Sequence, residues 1–78
     1  MDKTWARTRY RTKSVEDRAE GWVALELVRE SESTTETAAR VTFWDAEGQF
    51  SIQMFGGEVP LSILEEFVTE AKAAIRTS

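Results

Sequence analysis

The sequence contains no cysteine and no histidine, one proline and four glycines in 78 residues. Without cysteine no disulfide can staple so small a chain, and without cysteine or histidine the usual structural zinc sites are excluded. The same absences remove the commonest general base and the best thiol nucleophile, leaving carboxylates, hydroxyls, Tyr10 and lysines. The inventory predicts a protein that is not an enzyme. Long apolar stretches are missing too: no strictly apolar run exceeds four residues, and Met1 to Lys13 is charged and alternating where a signal peptide would be apolar. No membrane association is expected, and the lack of cysteine points to the reducing cytoplasm, because small secreted domains usually lean on disulfides.

Phosphate and metal motifs are absent as well. Gly56-Gly57 has no following Lys and not the strand-to-helix spacing of a phosphate loop, so it reads as an exit from a strand. Asp45 and Glu47 sit together at a hairpin tip, where burial is not expected to prepare a carboxylate for catalysis, so they read as solvated turn residues. The acidic residues lack the alternating oxygen ligands and central glycine of a calcium loop. No cofactor or metal is expected.

What is present is charge of uneven distribution and short runs of alternating apolar residues. The net charge is −4, yet residues 1–13 hold Lys3, Arg7, Arg9, Arg11 and Lys13 against Asp2 alone, a balance of +4 that leaves −8 elsewhere. A chain this short buries only about 60% of its unfolded surface, so there is room for one core and one domain, 1–78.

Period-two alternation predicts a strand over residues 4–13, with Trp5, Arg7, Arg9, Arg11 and Lys13 on one parity. Ser14 to Gly21 reads as a loop or short turn. A second strand spans 22–29, with Val23, Leu25 and Leu27 facing one way and Trp22, Ala24, Glu26 and Val28 the other. The polar residues 31–37 read as an exposed hairpin loop. Strands at 39–44 and 49–55 form a hairpin around Asp45-Ala46-Glu47-Gly48, where Gly48 supplies the positive φ of a bulged turn. Its inward set is Val41, Phe43, Phe50, Ile52 and Met54.

Ser62 with Glu65 reads as a capping box ahead of a helix over 61–76, whose stripe is Leu64, Phe67, Val68, Ala71 and Ile75. Early acidic residues and late Lys72 and Arg76 suit its dipole. The predicted class is α+β: a four-stranded antiparallel meander followed by one C-terminal helix on one face. One helix about 10–12 Å wide cannot cover four strands spanning roughly 20 Å, so a homodimer is expected to cover the rest.

Parity collects Trp22, Trp44 and Phe55 on the face opposite the core, among Arg40, Thr42, Ser51 and Gln53. If the first strand turns Arg7, Arg9 and Arg11 the same way, that face is aromatic and basic, which is the chemistry of single-stranded nucleic-acid binding. Aromatic rings with arginine are also enriched where proteins meet proteins, and alternating arginines on an edge strand deter aggregation. A protein partner or self-association is thus the competing expectation.

The stretch Arg40-Val-Thr-Phe-Trp-Asp-Ala-Glu-Gly-Gln-Phe-Ser-Ile-Gln-Met-Phe55, followed by Val59-Pro-Leu-Ser-Ile-Leu-Glu-Glu-Phe-Val68, resembles the positive-cofactor-four family of transcriptional coactivators. The resemblance covers about half the chain. It implies a four-stranded meander with a C-terminal helix, dimerisation through it, and single-stranded DNA binding in which Arg40 and Trp44 are contacts. That family tends to place Arg after the Ile of the penultimate strand and Lys before the helix, where this sequence has Gln53 and Glu58.

Overall fold

A computed structural model describes residues 1–44 and 46–75, so Asp45 of the hairpin and Arg76 of the expected helix end lie outside the described residues. The chain runs β1 (Asp2–Trp5), β2 (Thr8–Asp17), β3 (Trp22–Glu30), β4 (Thr35–Trp44), β5 (Gln49–Met54) and α1 (Leu61–Ala74). The five strands form one antiparallel sheet in sequence order, a meander with α1 on one face. The α+β class follows the sequence expectation, with five strands where four were expected.

The extra strand comes from splitting the first. Ala6 takes a left-handed φ of 54°, and the chain folds back so that Trp5 pairs with Thr8 and Lys3 with Tyr10. Continuous alternation through 4–13 hid this turn, because nothing in Ala6-Arg7 announces one. Two more corrections lengthen strands at the expense of loops. Ser14 to Asp17 continue β2 against β3, and Thr35 to Thr37 belong to β4. Both are polar stretches held by a paired neighbour, so tertiary context overrides their composition.

Beyond Leu27↔Ala39 the register shifts, and Val28 pairs with Thr37. The extra residue, Ala38, is fully buried, and its carbonyl accepts the Phe55 N–H at 3.0 Å. The shift turns Glu36 onto the helix face, where it meets Arg29.

The core is Tyr10, Leu25, Leu27, Ala39 and Val41 of the sheet against Ile63, Phe67 and Ala71 of the helix. The helix is turned relative to the expected stripe: Ile63 was missed, and Leu64 and Val68 are only half-buried at its flank. The helix starts at Leu61 as expected, but its cap is different. Pro60 is the N-cap, its carbonyl accepting the Leu64 N–H at 3.0 Å, and no side chain caps the helix, so Ser62 already lies inside the first turn. That turn holds no acidic residue, though Lys72 does lie in the last.

The connector from β5 to α1 is clamped by Arg29. Its guanidinium donates to the carbonyls of Glu58 (3.0 Å) and Gly56 (3.3 Å) and to the Glu36 carboxylate (2.9 Å). Gly57 approaches so closely that a Cβ there would lie 2.9 Å from Arg29 Nη2. At the other flank the Met1 ammonium meets Glu70 at 2.6 Å, with Thr12 Oγ1 donating to the same carboxylate. Lys3 pairs with Glu66. The helix is thereby tied to β1 and β2, and β5 is left as the less covered side. Ile52 and Met54, expected inward, are 48% and 46% exposed. Among the described residues no helix is long and apolar enough to cross a membrane.

Candidate functional site

The face of the sheet away from α1 gathers most of the residues singled out by the sequence. The register places Arg9 opposite Glu30, Arg11 opposite Val28, Lys13 opposite Glu26 and Asp17 opposite Trp22. It continues with Trp22 opposite Trp44, Ala24 opposite Thr42 and Glu26 opposite Arg40. Arg40 then faces Gln53, and Thr42 faces Ser51. Because side chains alternate along each strand, all of these share one face. Arg9 and Arg11 join Trp22, Arg40, Trp44 and Phe55 there. Arg7 does not: it lies in the turn between β1 and β2, a consequence of the fold at Ala6.

Trp22, Arg40, Thr42, Trp44, Ser51 and Gln53 line a concave depression of about 220 Å³. Of these only Thr42 is buried. The Trp22 and Trp44 rings lie 6.2 Å apart in a tilted arrangement, with 54° between their planes. Trp44 stays 38% exposed and Phe55 44%, so each offers a ring to solvent. The Arg40 guanidinium lies 5.6 Å from the centre of the Phe55 ring, within cation–π range.

Arg40 is held from below. Glu26 is buried at the centre of this face, and its Oε2 accepts both Nε (2.9 Å) and Nη2 (2.6 Å) of Arg40. A buried carboxylate needs such a partner, so one ion pair orients the arginine and makes Glu26 tolerable. Sequence reading placed Glu26 on this face and had no signal that it would be the anchor. The signal available was its direct cross-strand position to Arg40, legible only once register is known.

The other arginines are matched in the same way. Arg9 donates to Asp2 at 2.8 Å and lies 3.9 Å from Glu30, and Arg11 meets Glu30 at 2.6 Å. The hydrogen bond from Arg9 holds the Asp2 carboxyl below its usual range, and reciprocally raises Arg9. The face thus carries Arg9, Arg11, Lys13 and Arg40 together with Asp2, Asp17, Glu26 and Glu30, four cations against four carboxylates. Among the described residues Lys13 has no ion-pair partner within 4 Å.

Chemically this face combines flat rings, oriented guanidinium groups and short hydroxyl and amide side chains. Among the described residues no cluster of three or more carboxylates converges to hold a metal. No family model matches the chain, and no curated protein or solved structure matches it either.

Proposed function

We propose that this protein is a non-catalytic binding domain whose working surface is the outer face of the sheet, and that the partner is a single-stranded nucleic acid. One observation carries the reading: the fold brings the cations of β2, Arg9, Arg11 and Lys13, to the same face as the Trp22–Trp44 pair, Arg40 and Phe55. Exposed rings stack on bases of any sequence, and cations beside them track the phosphates. The resemblance to the positive-cofactor-four family is compatible with this partner and adds Arg40 and Trp44 as contacts.

A protein segment is the second reading, favoured by the carboxylates that already occupy Arg9, Arg11 and Arg40. The exposed pairs of Arg9 and Arg11 are worth at most about 1 kcal/mol each, so a phosphate can displace them, whereas the Arg40 pair rests on the buried Glu26 and is retained; fewer counterions are then released.

Salt dependence and one charge change separate the two. For a single strand the slope of log K against log salt is about −0.7 per phosphate neutralised, so four cations bound it at roughly −3. Glu26→Gln removes a negative charge from the centre of the face and loosens Arg40. Nucleic-acid binding is expected to tighten several-fold in that variant, measured by tryptophan fluorescence on titration with a mixed-sequence oligonucleotide. A salt-insensitive interaction, or weaker binding in Glu26→Gln with the fold intact, would turn the assignment to a protein partner.

A further inference from the structure

The two edges of the sheet are built differently. The β1 edge is four residues long, carries Asp2 and Lys3, and ends in a tight turn, all features that discourage pairing with another chain. The β5 edge, Gln49–Met54, has six residues with no charge and no proline, and pairs with β4 without a register shift. Because Phe55 N–H bonds back to Ala38, the alternation of an antiparallel ladder directs the N–H and C=O of Phe50, Ile52 and Met54 to the free side. The same three side chains lie on the helix face, where α1 leaves Ile52 and Met54 about half exposed.

The surface area points the same way. A folded chain of 8.9 kDa is expected to expose about 4,800 Å². This one exposes 5431 Å². The excess of about 600 Å² is surface this fold leaves uncovered, and Ile52 and Met54 of β5 are among the large apolar residues that contribute to it.

We infer that the β5 edge is a self-association surface, filled by a second copy of this chain whose β5 pairs antiparallel with the first about a two-fold axis at Ile52. β5 is complementary to itself in this arrangement. Phe50 meets the second copy's Met54, Ile52 meets its counterpart, and Ser51 meets Gln53, so apolar residues face apolar ones and polar face polar. No like charges collide, because the strand has none. The axis stands perpendicular to the sheet, so both helices fall on one side and both outer faces on the other, in one continuous sheet.

The test is sedimentation equilibrium on the full chain from micromolar to millimolar concentration, with two single-residue variants. The native chain is expected at about twice its 8.9 kDa mass. Ile52→Lys places a charge on the axis at a position already half exposed; it is expected to keep the native circular dichroism and run as a monomer. Ile52→Cys, in a chain with no other thiol, is expected to link to itself rapidly with a short bis-maleimide, and Gln49→Cys much more slowly. A native chain that stays monomeric at every concentration overturns the inference. So does a folded Ile52→Lys that remains dimeric, or a dimer in which Gln49→Cys links as fast as Ile52→Cys.

Discussion

Glu26 is the residue on which the outer face turns. It is buried, it faces Arg40 directly across the β3–β4 pair, and one of its oxygens takes two guanidinium bonds. Removing Arg40 leaves that carboxylate without a partner, so Arg40→Ala is expected to cost about 1–3 kcal/mol in urea unfolding. Adding Glu26→Gln to it should recover part of the loss, because the orphaned charge disappears. Trp44→Ala is the cleaner probe of binding, since its ring is more exposed and anchors no charge. At the opposite face, burial pushes the Glu70 carboxyl up, but hydrogen bonds from the Met1 ammonium and Thr12 and the ammonium charge outweigh it and hold the group below its ordinary 4.5. A depressed carboxyl stabilises the fold above its unfolded pKa and loses that contribution as pH falls through the folded value. Stability should therefore decline below about pH 4.5, and Glu70→Gln should flatten that acid limb while lowering stability near neutrality by about 1 kcal/mol. Thermal melts at several pH values check both.

Among the elements, the connector between β5 and α1 decides how the helix sits. Gly57 has a φ of +76°, and its missing Cβ leaves room for Arg29 to reach the carbonyls of Gly56 and Glu58. Gly57→Ala combines a left-handed penalty of about 1–2 kcal/mol with displacement of Arg29. It is expected to destabilise the fold by about 1–3 kcal/mol, non-additively with Arg29→Ala, as measured in a double-mutant cycle. The elements also show what the sequence disclosed and what it hid. Trp22 to Val28 alternate cleanly, so β3 and its two faces were legible, and with them the placing of Trp22 and Trp44 on the face opposite the core, though not their direct pairing. Gly48, with φ of 64°, marked the last hairpin. The turn at Ala6 was hidden because an alanine in the left-handed region is held there by the pairing of β1 with β2, and no local preference reports that. The polar tracts 14–17 and 35–37 read as loops because the partners that keep them extended lie in other strands. Ser62 looked like a cap on spacing alone, whereas Pro60, two residues earlier and with its fixed φ, is the N-cap.

At the scale of the whole molecule, the fold separates its surfaces. One face of the sheet is closed by α1, which is tied through Met1, Thr12 and Lys3 to the first two strands. The other face is open, and its charges cancel locally although the chain carries −4 overall. Local cancellation leaves that face without a net negative field to repel a polyanion, and under the proposed role the rings of Trp22, Trp44 and Phe55 would supply the contact area. Parity placed Trp22, Arg40, Trp44 and Phe55 on one face but left open whether the arginines of the first strand join them and whether carboxylates match them, since both depend on register and on the turn at Ala6. The most direct test of the proposed role is a titration of the isotopically labelled protein with a mixed-sequence single-stranded oligonucleotide, followed by amide shifts at low and then moderate salt. Nucleic-acid binding at this face predicts shifts at Arg9, Arg11, Lys13, Trp22, Arg40, Trp44 and Phe55 that fade as salt rises and vanish in Trp44→Ala. An absence of shifts at low salt, or shifts confined to α1 and β5, would contradict it.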